Sequence, residues 1–88
     1  MDLVTLIIDG LPLSYTTSDL TALLSQFNDV LDCRIVRDPT GFSLGFGYAQ
    51  FTSQNGAEQV RAALSGKHIG GGHELLIARV ADSASRLI

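Results

Sequence analysis

Apolar and polar positions along this chain switch between a period of two and a period near 3.6. Leu3 to Ile8 is an apolar, β-branched run closed by Asp9-Gly10-Leu11-Pro12, which predicts a first strand. Thr16-Thr17-Ser18-Asp19 has the form of a helix start, with Thr16 as N-cap and Asp19 three residues on, near the capping-box pattern. Leu20, Leu23, Leu24 and Phe27 then recur at helical spacing and give that helix one buried stripe, ended by Asn28-Asp29. From Val30 to Arg37 alternation returns, with Cys33 and Ile35 on one face and Arg34 and Val36 on the other. Asp38-Pro39-Thr40-Gly41 reads as a turn, and a third strand runs from about Leu44 to Phe51. A hairpin joins these two strands, so they are antiparallel. Ser53 caps a second helix whose stripe is Ala57, Val60, Ala63 and Leu64, and Ser65-Gly66 stops it. Gly70-Gly71-Gly72 reads as a flexible connector to a last strand, Glu74 to Val80. The register of that strand stays open. Leu75, Leu76 and Ile77 break the alternation, so either Leu76 or the Leu75/Ile77 pair turns away from the core.

The element order is β-α-β-β-α-β. Two right-handed crossovers place both helices on one face of a four-stranded sheet and leave the other face open. The expected unit is one domain over residues 1–81, followed by a frayed tail, 82–88.

Composition narrows the classes. The 88 residues are 45% hydrophobic and 17% charged, enough apolar material for a core without help. No apolar run approaches the ~20 residues of a membrane span, and Met1-Asp2-Leu3 lacks the basic region of a signal peptide. Cys33 stands alone, which removes any intrachain disulfide and predicts a reducing compartment, the cytoplasm or, in a eukaryote, the nucleus.

The stretch with the most specific chemistry is Gly45-Phe46-Gly47-Tyr48-Ala49-Gln50-Phe51. On a pleated strand Phe46 and Tyr48 share one face, while Gly47, Ala49 and Phe51 share the other. Leu6, Ile8 and Phe51 point to the helices as core. Two rings side by side on an open sheet face are the platform on which proteins stack nucleobases. Net charge bears against a nucleic-acid ligand. It is −3, the sequence pI is about 5.0, and the basic residues are only Arg34, Arg37, Arg61, Lys67, Arg79 and Arg86.

Over residues 3 to 81 the chain resembles the RNA recognition motif. The octapeptide of that family (basic, Gly, aromatic, Gly or Ala, aromatic, aliphatic, any, aromatic) is matched by Leu44-Gly45-Phe46-Gly47-Tyr48-Ala49-Gln50-Phe51. Its hexapeptide, aliphatic, aromatic, aliphatic, any, Asn, Leu, is matched by Leu6-Ile7-Ile8-Asp9-Gly10-Leu11. The hairpin loop from Asp38 to Ser43, the helix start from Thr16 to Leu20 and Ser65-Gly66-Lys67 resemble further landmarks. The resemblance implies a ferredoxin-like α/β sandwich binding single-stranded RNA on its sheet, and it implies stacking roles for Phe46 and Tyr48. In size the chain resembles the short single-module RNA-binding proteins of bacteria.

Two departures weaken RNA binding. Ile7 replaces the stacking aromatic of the hexapeptide, and Leu44 replaces the leading basic residue of the octapeptide. Asp9, on the open face, repels phosphate. Ile7, Val36, Leu44, Phe46 and Tyr48 then form an apolar patch of the kind that marks protein interfaces. Two functions follow. The first is a single-stranded RNA-binding module, with single-stranded DNA as a related ligand. There Phe46 and Tyr48 stack bases, Ile7 and Leu44 pack beside them, and Arg34, Gln50 and Arg79 reach backbone or base edges. The second is a protein-interaction or self-association module using the same face. An electropositive rim favours the first and a neutral apolar face the second.

The other candidates carry less. Arg34 and Arg79 are equally well read as solvated edge residues. Phe42, in the hairpin loop, either clamps a base or tucks against the hairpin. His68 and His73 lie five apart without paired cysteines or carboxylates, a poor metal site, so no metal or cofactor is expected. The triple glycine lacks the Lys-Ser/Thr ending and following helix of a phosphate loop. No Ser-His-Asp order and no plausible acid pair point to an enzyme, although small phosphatases share this architecture.

Overall fold

The computed structural model describes residues 3–80. Its elements follow the expected order: β1 (Val4–Asp9), α1 (Thr17–Leu24), β2 (Val30–Arg37), β3 (Ser43–Phe51), α2 (Gln54–Leu64) and β4 (Leu76–Val80). The four strands form one antiparallel sheet in the order β2-β3-β1-β4. This is the ferredoxin-like βαββαβ arrangement, with α1 packed over β2 and α2 over β1, β3 and β4. The expected tail, 82–88, lies outside the described residues.

Local chemistry sets the helix starts. The Thr16 hydroxyl accepts the Asp19 N–H at 3.1 Å and the Asp19 carboxylate accepts the Thr16 N–H at 2.9 Å, a reciprocal capping box. The Ser53 hydroxyl accepts the Gly56 N–H at 2.9 Å and donates to Asp29 Oδ2 at 2.7 Å. Helix α1 ends at Leu24, short of the expected Phe27. Phe27 still packs on the core from a turn closed by its own N–H to the Leu24 carbonyl, at 3.0 Å.

The core lies between sheet and helices. Strands supply Val4, Leu6, Ile8, Cys33, Ile35, Ala49, Phe51 and Ile77, Leu75 joins them from just before β4, and helices supply Leu20, Leu24, Ala57, Val60 and Leu64. Polar tethers reinforce it. Thr17 Oγ1 accepts the Ile35 N–H at 3.2 Å, and the Thr21 hydroxyl and the Cys33 thiol lie 3.3 Å apart. Cys33 is therefore a packed core thiol.

The last strand differs most from expectation. It begins at Leu76, not Glu74, because Glu74 and Leu75 pair with the chain just after α2. The Leu75 N–H donates to the Lys67 carbonyl and the Gly66 N–H to the Leu75 carbonyl, both at 2.8 Å, and His68 bridges Glu74. This pairing decides the open register. Leu75 and Ile77 are buried, while Leu76 is 64% exposed on the opposite face. The glycine loop is also less free than a connector. A Cβ on Gly72 would stand 2.5 Å from the Gly10 carbonyl oxygen, so only glycine lets the loop lie against the end of β1. The His73 N–H fastens it there, donating to the same carbonyl at 2.9 Å.

Candidate nucleic-acid interface

Register across the sheet arranges the open face in three rows. In the first, Leu76 of β4, Asp9 of β1 and Phe46 of β3 stand side by side. In the second, the order is Ala78, Ile7, Tyr48 and Arg34. In the third it is Val80, Thr5, Gln50 and Asp32. Side chains directly opposite each other in such rows lie about 5 Å apart and act as a unit. Phe46, Tyr48, Gln50 and Ile7 are partly buried by these neighbours, while Arg34 and Asp9 are exposed. Between them Gly47, Ala49 and Phe51 face the helices. The strands thus bring Phe46, Tyr48, Ile7, Gln50 and Arg34 together on one surface.

Leu44 is 49% exposed but stands apart from the rows. Gly45 has φ +81, a left-handed conformation that glycine adopts freely, and it breaks the pleat between Leu44 and Phe46. The Gly45 N–H donates to Ser43 Oγ at 3.1 Å and its carbonyl accepts the Leu11 N–H at 3.0 Å. Leu44 is left on the wall of a cleft shared with Asp9, Leu13 and His73.

Arg79 is not brought to this surface. Its Cα is opposite Leu6, whose side chain is in the core, so strand alternation directs Arg79 to the helix side of the edge strand. There it is solvent-exposed. Phe42 does not tuck against the hairpin. It is 72% exposed, at the tip of a loop that Asp38 organises. Asp38 Oδ1 accepts from the Thr40 hydroxyl at 2.6 Å, the Thr40 N–H at 2.9 Å and the Phe42 N–H at 3.0 Å. These bonds, the Thr40 hydroxyl first, hold its carboxyl below the usual value. On the far side, Tyr15 is pushed up by partial burial and then by the nearby Asp19 charge.

The electrostatics of the open face are mixed. Among the described residues Arg34 is its only cation, against the carboxylates of Asp9 and Asp32. Two other bases serve elsewhere: Arg61 pairs with Glu58 on α2 at 2.9 Å, and Arg37 donates to the Gly41 carbonyl at 3.1 Å. No three potential metal ligands converge among the described residues, and no helix there is long and apolar enough to cross a membrane. Sequence reasoning missed Thr5, Asp32, Ala78 and Val80 as members of the face. The period-two pattern of β1 and β2 contained Thr5 and Asp32, whereas Ala78 and Val80 needed the register of β4.

The family model of the RNA recognition motif matches residues 6–75, from within β1 to the residue before β4. The chain belongs to the RNA recognition motif family. This makes it a non-enzymatic binding domain. It is similar to protein alan shepard of Drosophila simulans, with 33% identity over 81 residues, 92% of this chain but 14% of that protein. The chain thus spans about one-seventh of the length of the curated relatives it matches. Among solved structures, the first two RRM domains of yeast poly(U)-binding protein Pub1 superpose with a TM-score of 0.84 at 27% identity, covering 92% of this chain and 49% of that one. The SXL-lethal protein in complex with RNA superposes at 0.83 with 28% identity, covering 93% and 49%.

Proposed function

We propose that the open sheet face of this RRM binds single-stranded RNA, with Phe46 and Tyr48 each stacking on a base. The observation that carries this reading is the second row, where Tyr48 of β3 stands between Ile7 of β1 and Arg34 of β2. A base laid on the ring gains stacking, and its phosphate finds a cation one strand away. Gln50, beside Thr5, offers a donor and an acceptor to a base edge or ribose. Leu44 adds apolar contact at the mouth of the adjoining cleft, and Arg79 reaches only phosphates that pass around the edge strand. Similarity to the SXL-lethal protein–RNA complex supports the reading. Single-stranded DNA would engage the same rings, since stacking does not require the 2′-hydroxyl.

The affinity is weak to moderate. Two rings contribute about 1–3 kcal/mol each, with one cation and two carboxylates on the same face. The test is a titration with mixed-sequence single-stranded RNA of about eight nucleotides at low salt, following backbone amides by NMR. Shifts clustered on β1 and β3, and lost in Phe46→Ala and Tyr48→Ala, are expected. Their absence at high RNA concentration would remove the proposal.

A second reading is that the face binds protein or a second copy of the chain. Leu76 at 64% and Leu44 at 49% exposure, with Ile7 where the family has an aromatic, favour it, as does the mixed charge around the rings. Concentration-dependent broadening of the same amides without RNA is its signature.

A further inference from the structure

Asp9 brings negative charge to the surface where the ligand's phosphates must approach. Its Cα lies opposite Phe46 on one side and Leu76 on the other, and the side chain is exposed. No ion pair holds it among the described residues. Its one hydrogen bond there is local, Oδ1 accepting the Gly10 N–H at 2.8 Å, which fixes the carboxylate and leaves Oδ2 free. Each carboxylate oxygen has two lone pairs, so both can still accept. Asp9 also lines a cleft of about 350 Å³, together with Leu13, Leu44, Gly72 and His73, a space that admits one nucleobase. A base resting on Phe46 therefore has an oriented, acceptor-only group at its edge and a cleft with both polar and apolar walls beyond.

An ionised carboxylate cannot donate, so it sorts the four bases by where their donors lie. On the Watson–Crick edge of guanine the N1–H and the exocyclic amine stand next to each other and meet both oxygens in a charge-assisted bidentate contact. Adenine places its amine beside the N1 lone pair, and cytosine places its amine beside N3. Uracil flanks its single N–H with two carbonyls. Each of these three sets a lone pair against the carboxylate, which costs binding energy in a partly desolvated site.

We infer that Asp9 makes the Phe46 position selective for guanine. This rests on the stacking role proposed for Phe46 and adds the identity of the base. The experiment uses uridine oligomers of about eight nucleotides carrying one central guanosine, inosine, adenosine or cytidine, with affinities from fluorescence anisotropy. The guanosine oligomer should bind about tenfold tighter than oligouridine, in line with a good bidentate contact. Inosine, which lacks the exocyclic amine, should lose most of that gain. Asp9→Asn keeps the shape and an acceptor for the Gly10 N–H. It should reduce the guanosine-to-uridine ratio to about twofold or less while strengthening oligouridine binding, because a charge that repels phosphate is gone. Equal affinity for all oligomers, or a ratio unchanged in Asp9→Asn, would overturn the inference. If Tyr48→Ala still abolishes oligouridine binding in that case, RNA binding stands and only base selection falls. If no oligomer binds the wild-type protein, both fall.

Discussion

Ile7 and Ile8 are the same residue at adjacent positions, yet they belong to different problems. Ile8 points at the helices and is fully buried, in a layer with Leu6, Ala49, Phe51 and Ile77. Ile7 points away, between Tyr48 and Ala78, into a layer that also holds Asp9, Thr5, Arg34 and Asp32. The covered face is apolar except where Arg79 stands exposed on its edge strand, and the open face is mixed, although both are built from the same strands. Burial constrains only volume and polarity, so the covered face repeats one theme. The open face holds rings, single charges and the amide of Gln50 at set positions, and those are the groups proposed to carry recognition. A side chain on the covered face should therefore act on stability and one on the open face on binding, with little crossover.

The strongest way to break this division is Phe51→Ala. Phe51 is fully buried at the end of β3, and its truncation should cost about 3–5 kcal/mol, read as a lower urea midpoint. A loss below about 1 kcal/mol would mean that the covered face is not the core. Gly72→Ala comes next. The added methyl meets the backbone oxygen of Gly10, which cannot rotate away, so the end of β1 must shift at about 1–3 kcal/mol. This site lies on the border between the two regions, since Gly72 lines the cleft beside Asp9. It should lower stability and RNA affinity together, and a drop in stability alone would separate the cleft from binding.

How much of this was legible in the chain follows the same division. The covered face announces itself, because Leu6, Ile8, Cys33, Ile35, Ala49 and Phe51 sit at strict alternation and Leu20, Leu24, Ala57, Val60 and Leu64 at helical spacing. Phe46 and Tyr48 follow from the same alternation, and strand parity puts Arg34 and Gln50 with them. Whatever depended on partners distant in sequence was not legible. The register of β4 is set by hydrogen bonds from Leu75 to Lys67 and from Gly66 to Leu75, which no periodicity contains. The position of Leu44 depends on one left-handed glycine. The pairing of Asp9 with both Phe46 and Leu76 required two strand neighbours at once.

On the open face, Tyr48→Ala should cost about 1–3 kcal/mol of RNA binding and leave the urea midpoint nearly unchanged. Were its stability to fall as far as that of Phe51→Ala, the ring would be packing rather than presenting itself. Arg34→Ala sharpens the comparison further. Without this one guanidinium for a phosphate to meet, the slope of log affinity against log salt should fall by about one, with equal weakening for every RNA sequence. A slope identical to wild type would place the phosphates elsewhere and restore Arg34 to a solvated edge residue.

The smallest effect belongs to the hairpin loop, which neither face buries. Asp38 holds that loop as a carboxylate, through bonds from the Thr40 hydroxyl and the Thr40 and Phe42 N–H groups, and its pKa is depressed in the folded state. A depressed carboxyl stabilises the fold above its unfolded value, near 3.8, and that contribution disappears as pH falls through the lower folded value. Titration from about pH 6 to about pH 2 should move the Thr40 and Phe42 amides with a midpoint below the ordinary carboxylate value. Residues of the covered face should not follow that midpoint, and at neutral pH the loop's contribution is constant. Asp38→Asn should remove the titration and release Phe42, whose ring stands 72% exposed at the loop tip. If Asp38→Asn also weakens RNA binding at neutral pH, Phe42 acts as a clamp positioned by the turn. If only the loop amides move, the rings of β3 bind without it.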